Sequence, residues 1–372
     1  MTAHVSLRRD IATPALVCDL DMLASNVNKM KDLTAAAGVA LRPHVKSHKS
    51  FYVAQLQLAA GAVGLSFAKV AEAEALIDRF EATGATRPSV LITSPTAGDR
   101  SAERIAHLSH RCELLVAVDH CDGASEIASS AQRHSAHVGV LCDVDVGLGR
   151  TGVRGPSEAL AIAELVAASP HLSFRGVQGY GGHLQHLEGR DARRRATTRS
   201  AQRLRAVIEA LEDHGFVCTI RSGGGTGTSL LDIDDGVLNE IQAGSYVFMD
   251  REYRDALGAD PEGAFQQSLR IATTVISTNQ DGFVTVDAGL KAMSTDAGVP
   301  IVLGYDSAIY SFFGDEHGLV TQPVDHCLAR GERLELVPPH CDPTVDRYNV
   351  MWLVRGEQVV DVVPIDARGC SQ

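Results

Sequence analysis

Hydrophobic and polar positions fall into two textures along the chain. From about residue 19 to 250, short β-branched or apolar runs are followed by longer segments rich in Ala, Glu, Leu and Arg. The first amphipathic segment follows Asp21, with Leu23, Val27, Met30 and Leu33 at helical spacing and Gly38 to stop it. Eight strand candidates come after it, at 39–46, 63–67, 89–94, 113–119, 137–145, 174–179, 217–222 and 238–245. Helical stretches such as 68–83, 157–168 and 191–214 separate most of them.

Strands that alternate with helices pair in parallel, because each return needs a crossover. Eight such units over this length fit a (β/α)8 barrel of the TIM type. A doubly wound open sheet has the same texture, and the count of eight favours the barrel. After about residue 255 the runs at 269–277, 282–287, 300–303, 332–337 and 358–363 are separated by Gly, Asp and Pro turns with no good helix between them. They predict a small antiparallel β-domain. The run at 15–19 precedes the barrel count and is expected to join that domain. The expected division is a barrel over 19–255 and a β-domain built from 1–18 plus 256–372.

Composition narrows the picture. Of 372 residues, 45% are hydrophobic but only 5% aromatic, with the single Trp352, so Ala, Val and Leu must fill the core. The net charge of −12 excludes the basic excess that a nucleic-acid surface needs. No apolar run reaches the roughly 18 residues of a membrane span. The start, MTAHVSLRRD, lacks the apolar core of a secretory signal. The eight cysteines are scattered, and Cys18, Cys112, Cys142 and Cys218 sit in apolar runs as small hydrophobes. A reducing cytoplasm is the expectation.

In such barrels functional groups collect at the C-terminal ends of the strands. Those ends read Pro43-His44-Val45-Lys46-Ser47-His48-Lys49, Asp143-Val144-Asp145, Gly179-Tyr180-Gly181-Gly182-His183, Ser222-Gly223-Gly224-Gly225-Thr226 and Ala243-Gly244-Ser245-Tyr246. A lysine at a barrel mouth, partly desolvated and beside Arg42, Lys49 and histidines, favours the neutral amine that attacks a carbonyl. Spacing alone is served as well by a Lys46 that snorkels to water. The run 222–228 lets backbone amides approach an anion, although a plain turn needs the same glycines. It lacks a P-loop ending, and it follows the seventh strand, so a dinucleotide fingerprint does not apply. The pairs His44/His48 and His183/His186 fall on strand ends and loops, where a structural role is the simpler one. In Pro338-Pro339-His340-Cys341-Asp342-Pro343-Thr344, an extended backbone held by prolines would put His340 and Asp342 on one side and Cys341 on the other. That is a sparse, open metal site, or else a proline-stiffened loop with no ligand.

Together these stretches, with Thr13-Pro14-Ala15-Leu16-Val17 and Arg150-Thr151-Gly152, resemble the D-threonine aldolase and D-serine dehydratase family. That family comprises fold-type III pyridoxal-phosphate enzymes related to alanine racemase. The resemblance implies Lys46 as the lysine that joins the cofactor, Arg150 facing its phenolic oxygen and Tyr180 its pyridine nitrogen. It implies that Ser222, Gly223, Gly224, Gly225, Thr226, Gly244, Ser245 and Tyr246 surround the phosphate end. His340 and Asp342 would bind a divalent metal. The dehydratases carry His-x-Cys, suited to zinc, whereas the hard oxygen of Asp342 suits manganese or magnesium.

The implied reaction is retro-aldol cleavage of D-β-hydroxy-α-amino acids, with D-threonine giving glycine and acetaldehyde and His183 or His186 as base. D-serine or D-3-hydroxyaspartate dehydration on the same site is the alternative. A metal-dependent hydrolase and a non-enzymatic pyridoxal-phosphate carrier are more distant ones. Family members pair as homodimers; neither nucleic acid nor membrane is an expected partner.

Overall fold

The computed structural model describes residues 6–258 and 265–372. The chain divides into two compact units: Met30–Lys46, Val53–Gly244 and Cys370–Gln372 form one, and Met1–Lys29, Ser47–Tyr52 and Ser245–Gly369 the other. The expected boundaries at 19 and 255 differ from this division, and residues 1–5 and 259–264 of the expected β-domain lie outside the described residues. Residues 47–52 count with the second unit through hydrogen bonds. Phe51 N–H donates to Asp366 (2.8 Å), Ala367 N–H to the Lys49 carbonyl (3.0 Å), and Lys49 Nζ reaches Asp346 Oδ1 at 2.8 Å.

The first unit is an eight-stranded parallel barrel. Its strands, in order around the sheet, are Ala40–Leu41, Leu65–Phe67, Val90–Ile92, Leu114–Val118, Val138–Asp143, Leu172–Gly179, Ile220–Gly223 and Glu240–Ile241. The ends of the series meet through the pairing Ala40↔Glu240. Hydrogen bonds from Val63 N–H to Leu41 O and from Ser66 N–H to Pro43 O, both 2.9 Å, join the first strand to the second. Leu114–Val118 and Val138–Asp143 are buried at every position, as parallel strands covered on both faces must be.

Crossover helices follow the expected rhythm. Val70–Thr83 begins where Glu72 accepts the Ala68 and Lys69 N–H groups and ends at Gly84, φ +68°. Pro156–Ala168 starts on a proline, whose missing N–H costs nothing in a first turn. Arg190–Asp213 closes the series of long helices in this unit. One glycine is dictated by a close approach. Gly176 has φ +132°, and a Cβ there would stand 2.0 Å from the Ile220 carbonyl.

Two expected strands prove much shorter than their apolar runs. The run 39–46 is strand only over Ala40–Leu41 and then turns into a 3₁₀ segment at Val45–Ser47. The run 238–245 is strand only over Glu240–Ile241, with a 3₁₀ segment at Ser245–Val247. In the first case Pro43 offers no ladder N–H, and past it pairing continues through the His44 N–H on the Ala243 carbonyl (3.1 Å) and the isolated bridge of His44 to Ser66. Lys46 therefore sits on a turn beyond the strand end.

The second unit holds a nine-stranded sheet. Ala15–Asp19 does join it, antiparallel to Leu269–Ser277 and parallel to Val350–Arg355. Ile11, Ala15, Val17, Ala272 and Val354 form its core, with Trp352 and Val359 packed alongside. Three of its strands were absent from the expectation: Tyr310–Phe312, Gly318–Thr321 and Val350–Arg355. Among the described residues it also carries the short helix Cys341–Val345, in the region where no helix was expected, and Arg251–Leu257, which crosses the expected boundary at 255. No helix among the described residues is long and apolar enough to cross a membrane.

Candidate active site

A cavity of about 160 Å³ opens at the C-terminal end of the barrel strands. Lys46, Arg150 and Tyr180, expected from three separate segments, all line it. Lys46 is half-buried on its 3₁₀ turn. The guanidinium carbon of Arg150 lies 5.6 Å from the Tyr180 ring centroid, a cation over an aromatic face. Arg150 is presented by a tight loop. Asp145 Oδ1 accepts the Gly147 and Gly149 N–H groups, each at 2.9 Å, and Asp119 accepts that of Gly152 at 3.1 Å. Gly152, at φ +102°, leaves no room for a Cβ, which would meet the Asp145 nitrogen at 2.4 Å.

A buried polar chain runs behind this cavity. Thr151 Oγ1 donates to Asp143 Oδ2 (2.8 Å), and Gln178 Nε2 donates to Asp143 Oδ1 (2.9 Å). Gln242 Nε2 donates to Gln178 Oε1 (3.2 Å) and to Ser222 Oγ (2.9 Å). Ser222 Oγ in turn donates to Glu240 Oε1 (2.6 Å), whose carboxylate meets Arg42 Nε at 3.0 Å. Burial pushes the Asp143 carboxyl up to about 6, against the opposing pull of Gln178, Thr151 and the Arg150 charge. His44 Nε2 contacts Thr93 Oγ1 at 3.1 Å while Thr93 donates to the Phe67 carbonyl, which places the imidazole proton on Nε2.

Of the expected phosphate residues of this unit, Ser222 and Gly223 end the seventh strand, Gly224, Gly225 and Thr226 follow it and Gly244 follows the eighth, and all are buried. The hydroxyl of Ser222 is engaged by Glu240 and Gln242. Glycine is required at 223 for a reason unrelated to anions, because a Cβ there would lie 2.1 Å from the Gly179 carbonyl. His183 is exposed on the 3₁₀ turn Gly182–Leu184, and a Cβ at Gly147 would stand 3.6 Å from its Nε2. His186 is half-buried.

Within the second unit, Tyr246 is fully buried against Phe265, with ring centroids 5.5 Å apart. The His340 box departs from its expected shape. His340 is extended, but Cys341–Val345 is a helical turn, with Pro343 tolerated in the first turn where N–H groups have no helical partner. Cys341 therefore does not face away from Asp342. Its buried Sγ lies 3.3 Å from Asp342 Oδ1, which also accepts from Ser245 Oγ at 3.3 Å. Asp250 holds this turn in place. Its carboxylate, raised by burial to about 6, accepts the N–H groups of Cys341 (2.8 Å) and Tyr253 (2.9 Å).

His340 Nδ1 is 2.7 Å from Asp296 Oδ2. A carboxylate on one ring nitrogen fixes the orientation of the other, as behind many metal-ligating histidines. Among the described residues no group of three or more His, Cys, Asp or Glu is assembled that could hold a metal ion.

Sequence reading missed Asp296, Gln178 and Gln242. The glutamines carried a signal, being amides inside or at the end of apolar strand runs; Asp296 did not.

Similarity to known proteins decides the family. Residues 18–252 match the family described as alanine racemase, N-terminal domain, and 268–354 match a putative serine dehydratase domain. A 3-hydroxy-D-aspartate aldolase of Paracoccus denitrificans strain Pd 1222 is 37% identical over 366 residues, 97% of this chain and 93% of that protein. The chain belongs to the D-threonine aldolase and D-serine dehydratase family. A D-threonine aldolase of an Arthrobacter species is 35% identical, over 97% of this chain and 94% of its own. The crystal structure of D-threonine aldolase from Filomicrobium marinum superposes with a TM-score of 0.94 at 34% identity, covering 100% of this chain and 99% of that one.

Membership in this fold-type III family makes the chain a lyase of the pyridoxal-phosphate-dependent aldolase or dehydratase kind. The cavity suits that cofactor: it has room for a substituted pyridine ring and places an amine, a guanidinium and a phenol on its walls.

Proposed function

We propose that the chain cleaves D-β-hydroxy-α-amino acids between Cα and Cβ, taking D-threonine to glycine and acetaldehyde, with a divalent metal as well as pyridoxal phosphate. The observation that carries this is the 37% and 35% identity, nearly end to end, to two aldolases of such substrates. Lys46 supplies the amine to which the cofactor's aldehyde is joined. Arg150 would hold the cofactor at its phenolic oxygen and Tyr180 at its ring nitrogen. A phenol there would be a weaker proton partner for that nitrogen than a carboxylate. The cofactor, when bound, supplies an electron sink for the carbanion left at Cα.

His183, the more exposed of the two candidate histidines, takes the β-hydroxyl proton at a ring nitrogen. The Cα–Cβ bond pair passes to Cα as the aldehyde leaves, and reprotonation of Cα yields glycine. His340 and Asp342 offer one imidazole and one hard oxygen to the metal. That donor set fits manganese or magnesium with remaining positions open, and not a closed zinc site. A divalent ion held there would supply Lewis acidity.

3-Hydroxy-D-aspartate is the second substrate to consider, since the 37% identical relative bears its name. Incubating the purified protein with D-threonine, D-3-hydroxyaspartate and D-serine, with and without manganese, tests these readings. Aldehyde or glyoxylate plus glycine is expected, stimulated by metal. Ammonia plus keto acid as the main products would establish a dehydratase instead.

A further inference from the structure

The loop 224–228 lies directly on a side chain that the activity does not otherwise use. We propose that Gln185 is a positioning residue for the cofactor's phosphate, clamping this loop from beneath and tying it to the turn that carries His183. The inference rests on the pyridoxal-phosphate dependence of the proposed function and on this loop being the phosphate cradle that the family resemblance implies.

Gln185 follows the turn Gly182–Leu184 and is only 1% exposed. Its Oε1 accepts the Gly227 N–H at 2.9 Å, and its Nε2 donates to Thr228 Oγ1 at 3.0 Å and to the Gly181 carbonyl at 3.2 Å. One amide thus uses its acceptor and both donor hydrogens to join two loops separated by some forty residues of chain. The Thr228 hydroxyl passes the connection on, donating to the buried Asp232 Oδ2 at 2.6 Å.

Glycine spacing in the loop follows from this contact. A Cβ at Gly225 would stand 2.5 Å from Gln185 Oε1, and one at Gly227 would stand 2.0 Å from the Gln185 carbonyl oxygen. Two of the glycines in the run 222–228 are therefore demanded by Gln185. The N–H of Gly227 and the hydroxyl of Thr228 are turned towards the clamp, so they brace the loop. Backbone donors recognise phosphate well only when they are fixed beforehand, since ordering a glycine loop at the moment of binding is entropically costly.

The test compares pyridoxal phosphate with pyridoxal, which lacks the phosphate, on the full chain stripped of cofactor and titrated by absorbance. Gln185→Met keeps the volume and removes the hydrogen bonds. It is expected to weaken pyridoxal phosphate binding by about 10- to 100-fold while leaving pyridoxal binding unchanged. Equal loss for both ligands, or loss for neither, overturns the clamp. Should Gln185→Met not fold, Thr228→Val removes one of the three bonds and should show the same selective loss to a smaller degree. If the unaltered chain binds pyridoxal as tightly as pyridoxal phosphate, the phosphate cradle itself fails, and the clamp with it.

Discussion

Arg42, one residue past the first strand of the barrel, meets Glu240 on the last strand at 3.0 Å, their side chains only 5% and 4% exposed. This contact puts a buried ion pair where the series of strands closes. Glu240→Gln leaves the guanidinium buried without its counter-charge and should cost about 3–5 kcal/mol. Urea unfolding measures it; a loss under ~1 kcal/mol would show that the pair is not buried as described.

Lys46→Ala should abolish both turnover and the visible absorbance of the bound cofactor. Thermal unfolding of the stripped protein should change little, because the side chain is half-buried on a turn and is not part of the core. Borohydride reduction followed by peptide mapping locates the modified lysine in the unaltered protein, and a label elsewhere removes Lys46 from its role.

Burial lifts the Asp232 carboxyl from its ordinary 3.8 to about 7, although the Thr228 hydroxyl donates to it. A raised carboxyl binds its proton more tightly in the folded chain than in the unfolded one. Its contribution is therefore complete below the ordinary value and fades as pH rises through the folded one. Relative to Asp232→Asn, the unaltered protein should lose stability between about pH 4 and 7, by at most about 1.4 kcal/mol per pH unit, and then level off. A constant difference between the two from pH 4 to 8 refutes the buried proton.

Asp342→Ala should retain the cofactor spectrum and lose metal stimulation. Asp296→Ala, which frees His340 Nδ1, should weaken manganese binding by roughly 10- to 100-fold. Manganese titration followed by electron paramagnetic resonance reads both. Full activity of Asp342→Ala in excess chelator would remove the metal from the box.

Much of this architecture was legible because its signals are local. Strand runs and amphipathic helices repeat in the sequence, and Lys46, Arg150 and Tyr180 share a cavity because each closely follows a barrel strand. What escaped was non-local or ambiguous. Pro343 is compatible with an extended segment and with the first turn of a helix, and only the Cys341 N–H on Asp250, 91 residues away, favours the helix. Asp296 meets His340 across 44 residues, and Gln185 meets Gly227 across 42, distances at which no periodicity speaks. Tyr310–Phe312 and Gly318–Thr321 are too short for alternation to register. Val350–Arg355 was readable as an apolar run ending before Gly356.

The chain of side chains from Arg42 through Glu240, Ser222, Gln242 and Gln178 to Asp143 has a bearing on attempts to reshape this enzyme. Each of the four inner members answers to two neighbours, so replacing one strands another in a place water does not easily reach. Libraries aimed at new aldehydes would do better to vary the exposed rim and keep these six positions fixed, or exchange them only as a set.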